Sequence, residues 1–305
     1  MMTELMILLA ASLALAAAAS PPRWDSLTPE QQRSFTLDGA SAVEHFFVDD
    51  SGRGNGTHYK YPARYIDQLV EAARAEAASC ARRAAPPASA PPPPRCWLHA
   101  ALRRRPIDGL DVAVFGTVEP TVEAAALAHG AASVTTVEYN ELTLEHARLR
   151  AVRPAALFGG GGGGGAAAAA AETFDAALAI SSFDHDGLGR YGDPLAPDGD
   201  LRAMATTARA VRPGGHLYLT VPVGPDVVAW NLLRRYGRAR LPLLLQQRAP
   251  PGGDACEADE RGGAWDGAQW EELPDERVGW SDELLDDAAR DWRRSVEPVF
   301  VLRRR

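Results

Sequence analysis

Lysine is almost missing from this chain: Lys60 is the only one among 32 basic residues, and the formal net charge is −8 over 305 residues. An acidic surface of this kind excludes nonspecific association with nucleic acid. The arginines, together with the Ala, Gly and Pro tracts, read as the codon bias of a GC-rich genome. Cysteine is also scarce. Cys80, Cys96 and Cys256 form no metal-ligand spacing, so zinc is not expected, and an odd count permits at most one intramolecular pair. A Cys80–Cys96 bridge is possible in an oxidising lumen.

A long apolar run is lacking too. Met6 to Ala19 is apolar apart from Ser12 and ends at Ser20-Pro21-Pro22, which is short for a bilayer span and fits a signal-peptide core. Small residues near Ala19 and Ser20 suit cleavage, although the preceding residues carry Glu4 and no Lys or Arg. The expectation is residues 1–20 as a signal peptide, with an uncleaved anchor or an organellar transit segment as alternatives. No stable membrane span is expected unless this segment is uncleaved. Asn55-Gly56-Thr57 is an N-glycosylation sequon, in keeping with a secretory-pathway address.

Two stretches pack nothing specific. Pro86 to Pro94 is a Pro/Ala/Ser linker, and Gly159 to Ala171 is a polyglycine–polyalanine insert expected to be a disordered loop. Arg248 to Glu276 reads as an extended surface loop. The domain reading is therefore 1–20 signal peptide or anchor, 21–100 an N-terminal cap region ending in the linker, and 101–305 the main domain. Phe46, Phe47, Tyr59, Tyr61 and Tyr65 belong to the cap region. Trp265, Trp270, Trp280 and Trp292 carry no assignment from sequence.

What remains alternates between strand and helix. Asp111–Phe115, Ser133–Val137, Ala176–Ile180, Leu217–Val221, Leu241–Leu245 and Val299–Leu302 read as strands. Glu119–Ala128, Glu141–Arg150, Leu201–Val211 and Val227–Tyr236 read as helices, with Asp198 or Asp200 as cap candidates and Arg212–Gly215 as a turn. The fold class is α/β, Rossmann-like, a mostly parallel sheet with helices on both faces. Ligands of such sheets sit at the carboxyl ends of the strands, near the point where strand order reverses.

The residues just after each strand are therefore the candidates. Gly116 follows the first strand, where a cofactor crossing to the helix needs a residue without a side chain. Thr117 continues that loop and Pro120 suits the first turn of the next helix. Glu138 closes the second strand about 20 residues on, where a carboxylate can accept from ribose hydroxyls, and Tyr139 can flank an adenine ring. After the third strand comes a polar cluster, Ser181 to Asp186, in which Ser182 would touch cofactor and His185 or Asp184 could deprotonate or position an acceptor hydroxyl. Gly187 to Gly192 spells G-x-G-x-x-G, but Asp193-Pro194 follows rather than a helix, so the match is a loop feature and not a dinucleotide motif.

Several motifs occur together and in order: Val137–Asn140, Gly187–Pro194, Arg212–Gly215, Val221–Gly224, Trp230-Asn231, Tyr236-Gly237 and Pro298–Leu302. The combination resembles a Caenorhabditis-type protein family of unknown function whose members are methyltransferase-like, from about Leu37 to Leu302. The resemblance implies a Rossmann-like methyltransferase fold over Asp111 to Gly224 and S-adenosylmethionine as cofactor, with Gly116 holding its methionine part and Glu138 its ribose. The first reading is a methyltransferase of the secretory pathway acting on a small molecule or glycan. The alternatives are an inactive binding or accessory module, favoured by the single glycine of the loop, and a NAD-dependent oxidoreductase.

Overall fold

The computed structural model describes residues 20–51, 57–83, 93–158, 173–246, 269–287 and 291–305. Its strands in chain order are β1 (Ala42–Phe46), β2 (His58–Tyr61), β3 (Asp111–Phe115), β4 (Ser133–Val137), β5 (Glu141–Leu144), β6 (Leu149–Val152), β7 (Phe174–Ile180), β8 (Val211–Thr220), β9 (Val227–Asn231), β10 (Leu233–Arg235), β11 (Trp270–Glu272) and β12 (Val299–Arg304). The α-helices are α1 (Pro29–Phe35), α2 (Ala63–Arg83), α3 (Trp97–Arg104), α4 (Thr121–Ala128), α5 (Pro154–Phe158), α6 (Gly199–Ala210) and α7 (Arg240–Gln246).

The main sheet has seven strands in the order β11-β12-β8-β7-β3-β4-β6. β6, β4, β3, β7 and β8 run parallel, while β12 is antiparallel to β8 and β11 to β12. From the centre the chain lays β4 and β6 to one side of β3, then returns to lay β7 and β8 on the other. Strand order therefore reverses between β3 and β7, and a crevice opens there at the carboxyl ends.

Strand periodicity divides the core into two layers. Ala113, Phe115, Ala177, Ala179, Leu217 and Leu219 face α6 and α7, packing on Leu201, Met204, Ala208 and Leu244. Val112, Val114, Val134, Ala176, Leu178 and Val301 face α2, α3 and α4, packing on Ile66, Leu102 and Leu127. Helices thus cover both faces, as the alternation predicted. The Cys80–Cys96 disulfide ties the end of α2 to the start of α3. Among the described residues no helix is long and apolar enough to cross a membrane.

Three expected elements changed type. Glu141–Arg150, read as a helix, is instead β5, which pairs with β2, followed by a turn into β6, which pairs with β4. Its helix-favouring side chains yield to two sheet edges that offer backbone partners from far along the chain. Val227–Tyr236, also read as a helix, is the hairpin β9–β10, with β1 added in parallel from the N-terminal region. The Leu241–Leu245 strand is the helix α7. Asp226 explains that change: its carboxylate accepts from the backbone N–H groups of Gly237, Ala239 and Arg240 at 2.9, 2.8 and 3.0 Å, satisfying the donors that a helix start leaves open.

Smaller differences concern positions within elements. Arg212–Gly215 turns within β8 rather than before it, as a bulge between the Phe174–Val211 and Ala176–His216 pairs. Pro120 is the residue before α4, not within its first turn, and Asp198 precedes α6 without a capping bond from its side chain, which instead binds Arg202. Within the expected loop 248–276, residues 270–272 form β11 and 274–276 a 3-10 turn. The leader 1–19, the insert 159–171, Asn55, Trp265 and Cys256 lie outside the described residues. The remaining tryptophans pack: the indole N–H of Trp270 donates to the Met204 carbonyl at 3.0 Å, Trp280 stacks on Phe300 with centroids 5.4 Å apart, and Trp292 is buried.

Candidate functional site

A cleft of about 320 Å³ lies at the reversal point and is lined by Gly116, Glu138, Tyr139, Ser182 and His185 together with Asp186, Tyr191 and Thr207. Its size is that of a small-ligand pocket. Gly116, Glu138 and Tyr139 enter it from the ends of β3 and β4. Ser182 and His185 enter from the turn after β7.

Gly116 has φ +71°, and a Cβ there would lie 2.0 Å from the Ser182 hydroxyl oxygen. The glycine therefore lets the β3 and β7 ends approach closely as well as keeping the loop low. Glu138 is 6% exposed, and its Oε1 accepts from the backbone N–H and the side-chain amide of Asn140, both at 2.9 Å. A carboxylate has further lone pairs, so this fixed group keeps acceptor capacity for a ligand hydroxyl. Burial pushes its pKa up, opposed by the Asn140 hydrogen bonds. Asn140 is itself fixed, accepting from the Thr57 N–H at 3.0 Å. The Tyr139 ring is 46% exposed, an open flat surface at the cleft.

Thr117 and Asp184 are not brought to the cleft surface. Thr117 donates to the buried carboxylate of Glu123, which also accepts from Thr136. Asp184 is fully buried, with neither oxygen hydrogen-bonded, and desolvation raises its pKa. Its nearest partner is the Nε2 of His185 at 3.5 Å. The other ring nitrogen of His185, Nδ1, lies 2.6 Å from the Leu232 carbonyl, so it carries the proton of that bond. Both ring nitrogens thus face protein groups.

The loop after β7 has its own internal logic. The Asp193 carboxylate accepts from the N–H groups of Gly187, Gly189 and Tyr191 at 2.8, 3.1 and 3.2 Å. This explains the glycine spacing without any dinucleotide. Arg234, from β10, donates to the carbonyls of Asp186, Ala196 and Pro197 at 2.5, 3.2 and 3.4 Å, clamping both ends of the loop. Arg240 grips buried Asp200 through two bonds of 2.8 and 2.6 Å, and the Tyr236 hydroxyl adds a third at 2.9 Å.

Asp186, Tyr191 and Thr207 were not singled out from sequence. Asp186 ends the recognised polar cluster and Tyr191 lies in the Gly187–Gly192 stretch, but Thr207 reaches the cleft only because α6 packs beside β7. No described residue of the N-terminal region lines the cleft. The region buttresses the site from outside instead, through the Asp50–Arg190 pair at 2.7 Å and the Tyr65 hydroxyl bonded to Glu119. No group of three or more potential metal ligands occurs among the described residues.

The strand order and cleft define a Rossmann-like methyltransferase fold. Residues 109–248 match the family described as Caenorhabditis protein of unknown function, DUF268, in agreement with the resemblance seen in the motifs. No curated protein matches the sequence. Among solved structures, the chain is similar to a 1,6-didemethyltoxoflavin-N1-methyltransferase from Burkholderia thailandensis, at 18% identity and TM-score 0.41 over 94% of this chain and 99% of that one. An S-adenosylmethionine-dependent methyltransferase from Mesorhizobium loti matches at 18% identity and TM-score 0.37, over 68% and 97%. A hemolysin-like protein from Lactococcus lactis matches at 14% identity and TM-score 0.28, over 41% of this chain and 55% of that one, so the chain spans about half its length.

Proposed function

We propose that this protein is an S-adenosylmethionine-dependent methyltransferase. The observation that carries the reading is a single cleft at the strand reversal, with Gly116 and Glu138 on one wall and Ser182 and His185 on the other. The residues fit the cofactor. Gly116 leaves room for its methionine part, the Asn140-held carboxylate of Glu138 presents acceptors to a ribose, and the Tyr139 face can cover an adenine. When bound, the cofactor supplies an electrophilic methyl group on a sulfonium. The chain's part is to hold donor and acceptor in line. His185 fixes the cleft wall through its Leu232 bond, with the Asp184 carboxyl 3.5 Å from its other ring nitrogen.

The Cys80–Cys96 bond supports an oxidising, secretory-pathway location. That location favours a small-molecule or glycan acceptor and requires a luminal supply of the cofactor. The test is calorimetry of the purified chain with S-adenosylmethionine and S-adenosylhomocysteine. Both should bind, and Glu138→Ala should weaken both at least tenfold. Absence of binding, or a Glu138→Ala affinity equal to wild type, overturns the reading.

One observation favours a second reading, a binding module without transfer: both ring nitrogens of His185 are engaged by protein groups and Asp184 is outside the cleft. This reading predicts cofactor binding with the same Glu138 dependence but no turnover with any acceptor.

A further inference from the structure

A second pocket of about 240 Å³ opens beside the first, on the same edge of the sheet. Its apolar walls are Phe46, Pro222, Leu232, Leu233 and Trp292, and its polar lining is Glu297, Ser295 and Arg293, the last turned to Asp291. The Phe46 and Trp292 rings meet edge to face with centroids 5.7 Å apart.

The two cavities share a wall one hydrogen bond thick. Ser181, which lines the cleft, donates to Glu297 at 3.2 Å, and Glu297 lines the second pocket. Likewise His185 lines the cleft and is bonded at 2.6 Å to Leu232, which lines the second pocket. A group seated against Glu297 therefore lies directly across Ser181 from anything in the cleft.

Glu297 is held by neutral hydroxyls, Ser181 at Oε1 and Thr220 at Oε2, both at 3.2 Å. No Arg or Lys of the described residues forms an ion pair with it. Burial, then the repulsion of buried Asp184, push its pKa up, opposed by the hydrogen bonds from Ser181 and Thr220. The nearby Arg293 lies over the outer Trp292 ring at 4.5 Å and pairs with Asp291 at 3.4 Å. A half-buried carboxylate without a cation, under aromatic walls, presents the chemistry that recognises an organic ammonium: one charge-assisted hydrogen bond and ring faces for the cation's apolar body.

We infer that this second pocket binds a small organic amine carrying an apolar or aromatic group, with its ammonium on Glu297. The inference does not rest on the methyltransferase reading: the Ser181–Glu297 wall stands between this pocket and the cleft, so the amine is a second ligand and not the methyl acceptor. The site itself stands on the pocket's own residues.

The experiment titrates the full chain with 2-phenylethylamine and with its neutral counterpart 2-phenylethanol, following heat and tryptophan fluorescence. The amine should bind at least tenfold more tightly than the alcohol. Glu297→Gln should remove that preference, and Leu233→Trp, which fills the pocket, should weaken both ligands. S-Adenosylhomocysteine affinity, measured in parallel, should be unchanged in both variants, which also reports that they fold. Equal binding of amine and alcohol, a preference that survives Glu297→Gln, or no binding of either ligand overturns the proposal. If the amine binds as stated and S-adenosylhomocysteine does not bind wild type, the amine site stands and the methyltransferase reading fails. If S-adenosylhomocysteine binds and the amine does not, the amine proposal alone fails.

Discussion

The two walls of the cleft are built differently. The wall at β3 and β4 is local: Gly116, Glu138, Tyr139 and the supporting Asn140 lie within one strand–helix–strand unit. The wall after β7 is assembled from distant segments. His185 leans on Leu232, Arg234 and Arg240 clamp the loop and α6, and Ser181 meets Glu297. A wall made by short-range chemistry can be preformed by its own strands. A wall made by long-range bonds depends on the whole domain being folded.

This contrast orders the expected effects of substitution. Arg240→Met should do the most damage, because it leaves Asp200 buried without its cation, a loss of ~3–5 kcal/mol for a broken buried pair. Urea denaturation should show it. A midpoint equal to wild type would break the view that the far wall depends on this pair. Next is Gly116→Ala. A Cβ there meets Ser182 at 2.0 Å and sits at φ +71°, so about 1–3 kcal/mol of strain is expected. S-Adenosylhomocysteine affinity should fall more than tenfold by calorimetry as the two walls are pushed apart. Asn140→Ala should be milder. It removes the side-chain hydrogen bond to Glu138 and the acceptor of the Thr57 N–H but keeps the backbone N–H bond; at about 1 kcal/mol per lost bond it should weaken cofactor several-fold while leaving the second pocket's amine affinity unchanged. An equal loss at both sites would show that the walls are not independent.

The smallest effect is a slope. Burial raises the folded pKa of Asp184 above its ordinary value of 3.8. As pH rises through that ordinary value the unfolded chain releases its proton first, so stability present below it is lost as pH climbs toward the folded pKa. Asp184→Asn cannot ionise and should flatten this decline in urea midpoints measured from about pH 4 to about pH 7. A slope equal to wild type would mean that Asp184 is ionised in the fold despite having no hydrogen-bond partner.

Legibility followed the same division. Four of the five parallel strands follow from local patterns; the exception is the edge strand β6, whose Leu149–Val152 stretch carries the Arg and Ala of a helix. Gly116, Glu138, Tyr139, Ser182 and His185 were identified by position after strands and do line the cleft. Thr117 and Asp184 have the same kind of position but turn inward, to Glu123 and beneath His185. Position along a strand end does not decide which way a side chain turns when a buried partner competes for it. Glu297 gave no signal at all, since it precedes β12 and meets Ser181 only in three dimensions.

The sequence by itself determined the α/β class, the central strands and the local wall, because apolar periodicity and single glycines act over a few residues; strand order, and with it the reversal point, came from the tertiary structure. The tertiary structure alone decided that 227–235 is a hairpin and 240–246 a helix. β1 supplies the hairpin's partner strand, and the Asp226 carboxylate supplies the cap of the helix. It also placed the second pocket beside the first. The hairpin's third strand and the second pocket need segments brought from far along the chain, and the helix needs a carboxylate 11 to 14 residues before the N–H groups it binds, beyond the reach of a short periodicity window.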